Sequence, residues 1–152
     1  MNIKQALAIS GLALSSTLFR VIPALSQCAL STTSVNFGNY DVFNTIPQDT
    51  TGKVTYDCTG AMPTPTSITI QLNQGTASSY NPRQLRSGAD SLNYNLYLDA
   101  AGQFIWGDAT GGTSTYTSTA LNGNVTIYGQ IPARQNVKVG TYTDTIVVTI
   151  NF

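Results

Sequence analysis

The chain has 152 residues, enough for one domain with a core of its own. Only 9% of them are charged, the formal net charge is +0, and there is no glutamate and no histidine. That excludes a basic nucleic-acid-binding patch and leaves no imidazole for general-base or metal chemistry. Threonine, serine, asparagine and glycine take the place of charge. Threonine favours strands, asparagine and glycine favour turns, and an all-β fold is expected.

Lys4 followed by the apolar stretch 6–18 reads as a secretory signal, too short to span a membrane as a helix. Ala24-Leu25-Ser26 sets small residues one and three places before a cut ahead of Gln27. This divides the chain into a signal peptide, 1–26, and one domain, 27–152. Ala13-Leu14-Ser15 offers an earlier cut after Ser15. Beyond residue 26 seven aspartates against five basic residues leave −2. Cys28 and Cys58 are expected to pair in an oxidising compartment. Closing that loop of about 31 residues stabilises by roughly 3.5 kcal/mol if loop entropy dominates.

Residues 29–37 read as a first strand, bending at Gly38-Asn39. A polar loop, 45–52, leads to a second strand, 53–58, with Val54, Tyr56 and Cys58 on one face. A Pro/Gly loop precedes a third, 67–73, with Ile68, Ile70 and Leu72 inward. Residues 74–90 are long and polar and read as a loop, with Arg83 and Arg86 as solvated charges. A fourth strand, 91–99, carries Leu92, Tyr94, Leu96 and Leu98 on one face. Phe104-Ile105-Trp106 reads as a short pairing strand and 107–118 as a loop, followed by a strand over 124–131. Short strands separated by turn signals point to a β-sandwich.

Gly140 then opens the strongest strand signal in the chain. At period two, Tyr142, Ile146, Val148, Ile150 and Phe152 share one face, with Asp144 near its start. Burying Ile146, Val148, Ile150 and Phe152 would supply roughly 6–12 kcal/mol as an upper bound, so this stretch is expected to dock on its own sheet or on a partner.

Cys28, Phe37-Gly38-Asn39-Tyr40, Cys58, Asn81-Pro82-Arg83-Gln84-Leu85, Leu92-Asn93-Tyr94-Asn95-Leu96-Tyr97, Trp106-Gly107-Asp108, Tyr128-Gly129-Gln130-Ile131-Pro132 and Gly140-Thr141-Tyr142-Thr143-Asp144 occur in this order. Together they resemble the spore coat protein U domain family, over nearly all of residues 28–152. The resemblance implies an immunoglobulin-like β-sandwich lacking its final strand, and a subunit of an archaic chaperone–usher pilus with a role in adhesion and biofilm formation. The implied partners are a periplasmic chaperone, an outer-membrane usher and neighbouring pilus subunits. The route is export through the periplasm to a surface pilus. Partner strands would then pair along Tyr142, Ile146, Val148, Ile150 and Phe152 by β-strand addition. A subunit that donates a strand needs an N-terminal extension of roughly ten residues at about 3.3 Å each. Cleavage before Gln27 leaves almost none, whereas cleavage after Ser15 leaves residues 16–27.

Two other readings are a complete sandwich that binds a surface or glycan receptor, and a secreted coat protein that self-associates. Trp106 and Asp108 are the candidate ligand contacts for the first, set against the commoner roles of a core or loop-packing tryptophan and a turn aspartate. Asp99 and Asp108 as a catalytic carboxylate pair are set against turn formation, which their glycine and alanine neighbours favour. No nucleophile elbow, P-loop or metal-ligand spacing is present, so no enzymatic activity and no cofactor is expected.

Overall fold

A computed structural model describes residues 27–152; the signal-peptide expectation and both cleavage sites lie outside them. Eight strands are formed: β1 (Ala29–Thr33), β2 (Gln48–Asp57), β3 (Ile68–Leu72), β4 (Arg83–Ser87), β5 (Asp90–Tyr97), β6 (Tyr116–Ser118), β7 (Asn122–Ile131) and β8 (Val148–Asn151). There is no helix among the described residues. The strands make a five-stranded sheet, β1-β2-β7-β5-β4, and a three-stranded sheet, β6-β3-β8. Every ladder is antiparallel.

Alternation decides which residues meet between the sheets. Val54 and Tyr56 of β2, Leu92, Tyr94 and Leu96 of β5, and Val125, Ile127 and Ile131 of β7 point inward from the larger sheet. Ile68, Ile70 and Leu72 answer them from β3 and are fully buried. Trp106 completes the core, its indole N–H donating to Ile70 O at 3.0 Å. Cys28 and Cys58 form a disulfide that joins the residue before β1 to the residue after β2.

Several boundaries differ from the sequence reading for physical reasons. The first strand pairs only over β1, because residues 34–37 leave the ladder and turn Val35 and Phe37 onto the core. β2 begins at Gln48, inside the expected polar loop. Its first half carries aspartate and threonine outward and Gly52 inward, so it lacks an apolar face to read. Residues 74–90 are not all loop: β4 pairs with β5 through Arg83↔Tyr94 to Ser87↔Asp90. β6 closes the expected loop 107–118. Phe104-Ile105-Trp106 makes single bridges, Tyr97↔Ile105 and Trp106↔Ser114, rather than a ladder.

Candidate functional site: an open groove between the sheets

The C-terminal stretch crosses from one sheet to the other. At Thr143 it exchanges two backbone hydrogen bonds with Arg86 of β4, at 2.8 and 3.0 Å. By Val148 it pairs with Leu72 of β3, and the ladder continues to Thr69↔Asn151. The regular strand is therefore only the last part of the expected run. Between the two pairings the side chain of Asp144 holds the crossing. Its Oδ1 accepts from the amides of Thr76 (2.9 Å) and Thr145 (2.8 Å), and its Oδ2 from the Tyr94 hydroxyl (2.6 Å). Burial, and then this bond, push the Tyr94 phenol far above its ordinary pKa, so it stays a donor. Gly75, in the left-handed region at φ 69°, passes so close to the Asp144 carboxylate that a Cβ would overlap it.

Along this stretch the period-two pattern holds without break, but at half strength. Tyr142, Asp144, Ile146, Val148 and Ile150 are half-buried, the residues between them are exposed, and Phe152 is 56% exposed. Tyr142, Ile146, Val148 and Ile150 pack on the rim of the core rather than within it. Beside Tyr142 and Asp144 runs a groove of about 780 Å³, walled by residues 34–42 on one side and 137–144 on the other. Leu85, Leu92 and Ile131 lie beneath it. β8 is an edge strand of its sheet and β1 an edge strand of the other.

The opposite wall is positioned by close packing. Val35 and Phe37 lie over two glycines of the larger sheet, Gly52 of β2 and Gly129 of β7. Phe37 meets Tyr94 edge-on at 5.9 Å. The Gln48 side-chain Nε2 donates to Phe37 O. Beyond the bend at Gly38 (φ 69°), the Tyr40 hydroxyl donates to Pro132 O and accepts from the Gln135 amide, both at 2.8 Å. Gln135 in turn uses its side-chain amide to pair both backbone groups of Asn93 at 2.8 Å. A Cβ on Gly129 would stand 2.7 Å from Val35 Cγ1 and 2.9 Å from the Phe37 ring. Gly129→Ala is therefore expected to lift this wall and cost about 1–3 kcal/mol, read by chemical denaturation and by faster amide exchange at residues 35–40.

The other sequence candidates fall elsewhere. Trp106 is fully buried, which removes it as a surface contact: its indole bonds Ile70 O of β3 and packs near the Tyr116 ring of β6. Asp108 accepts from the Thr110 amide (3.0 Å) and hydroxyl (2.6 Å), and Asp99 from the amides of Gln103 and Phe104. These turn-closing bonds hold both carboxyls below their ordinary pKa, Asp108 chiefly through the Thr110 hydroxyl and Asp99 chiefly through the Phe104 amide. Arg83 is not a solvated charge but fully buried. Its Nε and Nη2 donate to Asn73 O (3.1 and 2.9 Å), Nη2 also to Trp106 O (2.6 Å), and Nη1 to Asn95 Oδ1 (2.9 Å). Burial lowers its pKa, but the guanidinium remains charged, and its plane faces Tyr80 at 5.1 Å. Arg83 thereby ties β3, β5 and the Trp106 segment together, a role that an isolated arginine in a polar stretch gives no means of reading.

The chain is similar to several known proteins. Protein U of Myxococcus xanthus is 33% identical over 132 residues, covering 78% of this chain and 72% of that protein. In fold, the chain is similar to the crystal structure of the CsuC–CsuE chaperone–tip adhesion subunit pre-assembly complex from archaic chaperone–usher Csu pili of Acinetobacter baumannii. The TM-score is 0.54 at 18% identity, covering 83% of this chain and 40% of that one. The E. coli Hda pilus minor tip subunit, HdaB, aligns at a TM-score of 0.46 and 10% identity over 81% of this chain and 82% of that one. Residues 15–149 match the family described as the Spore Coat Protein U domain, and the chain belongs to that family.

Proposed function

We propose that this protein is a structural subunit of a chaperone–usher fibre, and that a strand from a partner completes its sandwich along the groove. The observation that carries this reading is the half-buried row from Tyr142 to Ile150, which continues from the open groove along an unpaired sheet edge. An apolar, half-covered row beside a free edge is a template for β-strand addition: backbone bonds give affinity, and side chains at alternate positions give specificity. Phe152 extends that row. A periplasmic chaperone would supply the strand first, and a neighbouring subunit at the outer-membrane usher would replace it. Adhesion and biofilm formation at the cell surface are the roles such a fibre would serve. The fold similarity to a chaperone-bound pilus subunit supports the reading. The protein is structural, not enzymatic.

Co-expression tests it. Alone, the exported chain is expected to aggregate or be degraded; with the chaperone it is recovered as a one-to-one complex. Deleting residues 150–152 removes Ile150 and Phe152 from the pairing row and should abolish that recovery. A stable, soluble monomer that ignores the chaperone would sink the proposal.

A further inference from the structure

On its outer face the larger sheet carries a second concavity, of about 440 Å³, which shares no residue with the groove. That size lies within the roughly 300–1,000 Å³ range of small-molecule clefts. The strand register builds it. Thr51 of β2 stands opposite Tyr128 of β7, and Tyr128 stands opposite Tyr97 of β5, so two phenol rings occupy neighbouring strands in one row. In the next row Asp49 stands opposite Gln130, whose amide donates to Asp49 Oδ1 at 2.9 Å. The turn after β5 forms the rim: a Cβ on Gly102 would lie only 3.7 Å from the Tyr97 ring, and Asp99 belongs to the same turn.

Three features give this concavity a chemistry. The hydroxyls of Tyr97 and Tyr128 make no hydrogen bond to another described residue, and neither does Asp49 Oδ2, so these lining groups are free to bond a ligand. Two tyrosine rings offer apolar faces of the kind that stack on a sugar ring or a cation. Two carboxylates and no basic side chain line it. Both carboxylates act on the site: after burial, the charge of Asp99 raises the Tyr97 phenol, the charge of the buried Arg83 opposes it, and that of Asp49 raises it by less. Lys53, the outward cation of β2, stands one row further along, opposite Thr126.

We infer that this outer-face cleft binds an amino sugar, its ring against Tyr97 and Tyr128 and its ammonium directed to Asp49 and Asp99. A neutral sugar would use the rings and the Asp49–Gln130 pair but leave the negative lining uncompensated. An anionic sugar would be repelled. The sandwich thus presents one face to partner strands and another to a cationic glycan, and neither use needs the other.

Saturation-transfer difference NMR tests this on the exported protein in whatever form it purifies, free or with a bound partner, because the signal is read from the sugar. Glucosamine is expected to show transfer and N-acetylglucosamine, which lacks the charge, at least about ten-fold weaker binding. Tyr128→Ala and Asp49→Asn should each weaken glucosamine about ten-fold, and Tyr128→Phe should retain most of it. Both positions are on the surface face of the sheet, and near-unchanged circular dichroism identifies folded variants. Equal binding of N-acetylglucosamine, equal binding of free lysine, indifference to Asp49→Asn, or no transfer at about 10 mM glucosamine each overturns the inference.

Discussion

Replacing Arg83 with methionine is expected to cost about 2–6 kcal/mol of stability, a large share of the roughly 5–15 kcal/mol of a typical domain. Methionine approximates the volume of the arginine stem but offers no donor. Trp106 O, buried, and Asn73 O, half-buried, would lose their bonds to the guanidinium, while Asn95 Oδ1 would keep only the Leu96 amide, at 3.0 Å. Each buried acceptor left without a partner costs about 1–3 kcal/mol. No carboxylate touches the guanidinium among the described residues; Asp144 acts on it only through space. The loss is therefore one of hydrogen bonding, not of an ion pair, and added salt should leave it nearly unchanged. Arg83→Lys keeps the charge but lacks the planar fork that reaches three acceptors at once, and should recover less than half of the loss. Urea unfolding of parent and variants gives the numbers. A loss under about 1 kcal/mol would mean that water can take the place of the guanidinium.

Removing the disulfide is the second large effect. Cys28→Ser with Cys58→Ser should lower stability by about 3.5 kcal/mol, from the loop entropy of a sequence separation of 30. The structural consequence should be local before it is global. β1 is an edge strand with a five-residue ladder to β2, and few of its side chains are covered. Without the covalent tie it should fray first, and the wall at residues 34–42 should follow it. Hydrogen exchange should show faster amides over residues 29–40 with β5 and β7 unaltered. Uniform loosening of every strand would contradict this order of events.

The two effects mark what the sequence could and could not convey. Strands whose inward positions are aliphatic or aromatic, such as Ile68-Ile70-Leu72 and Leu92-Tyr94-Leu96, declare themselves through period two. β4 does not, because the residue it buries most deeply is Arg83. The first half of β2 does not, because its inward positions are Gln48, Thr50 and Gly52, the last kept small by Val35 above it. Trp106 could be read either way from the glycine and aspartate beside it, and the core reading is the one that holds: its indole bonds Ile70 O of β3 and lies 6.4 Å from the Tyr116 ring of β6. The C-terminal row was legible in its alternation. Its change of sheet was not, since the bonds that hold it come from Arg86, Thr76 and Tyr94, all distant in sequence. The pairing of Tyr97 with Tyr128 was hidden for the same reason: register across strands leaves no mark in either strand alone.

The tie between Cys28 and Cys58 also sets how the molecule responds to pulling. Tension entering ahead of Cys28 passes through the sulfur bridge directly to the end of β2, which is paired along its whole length with β7. Residues 29–57, between the cysteines, lie outside the load path, so β1 and residues 34–42 carry no force even when the chain is stretched. A domain strung in series with others would keep that wall in shape under strain. The covalent shortcut makes it a link that can bear a load without giving up length.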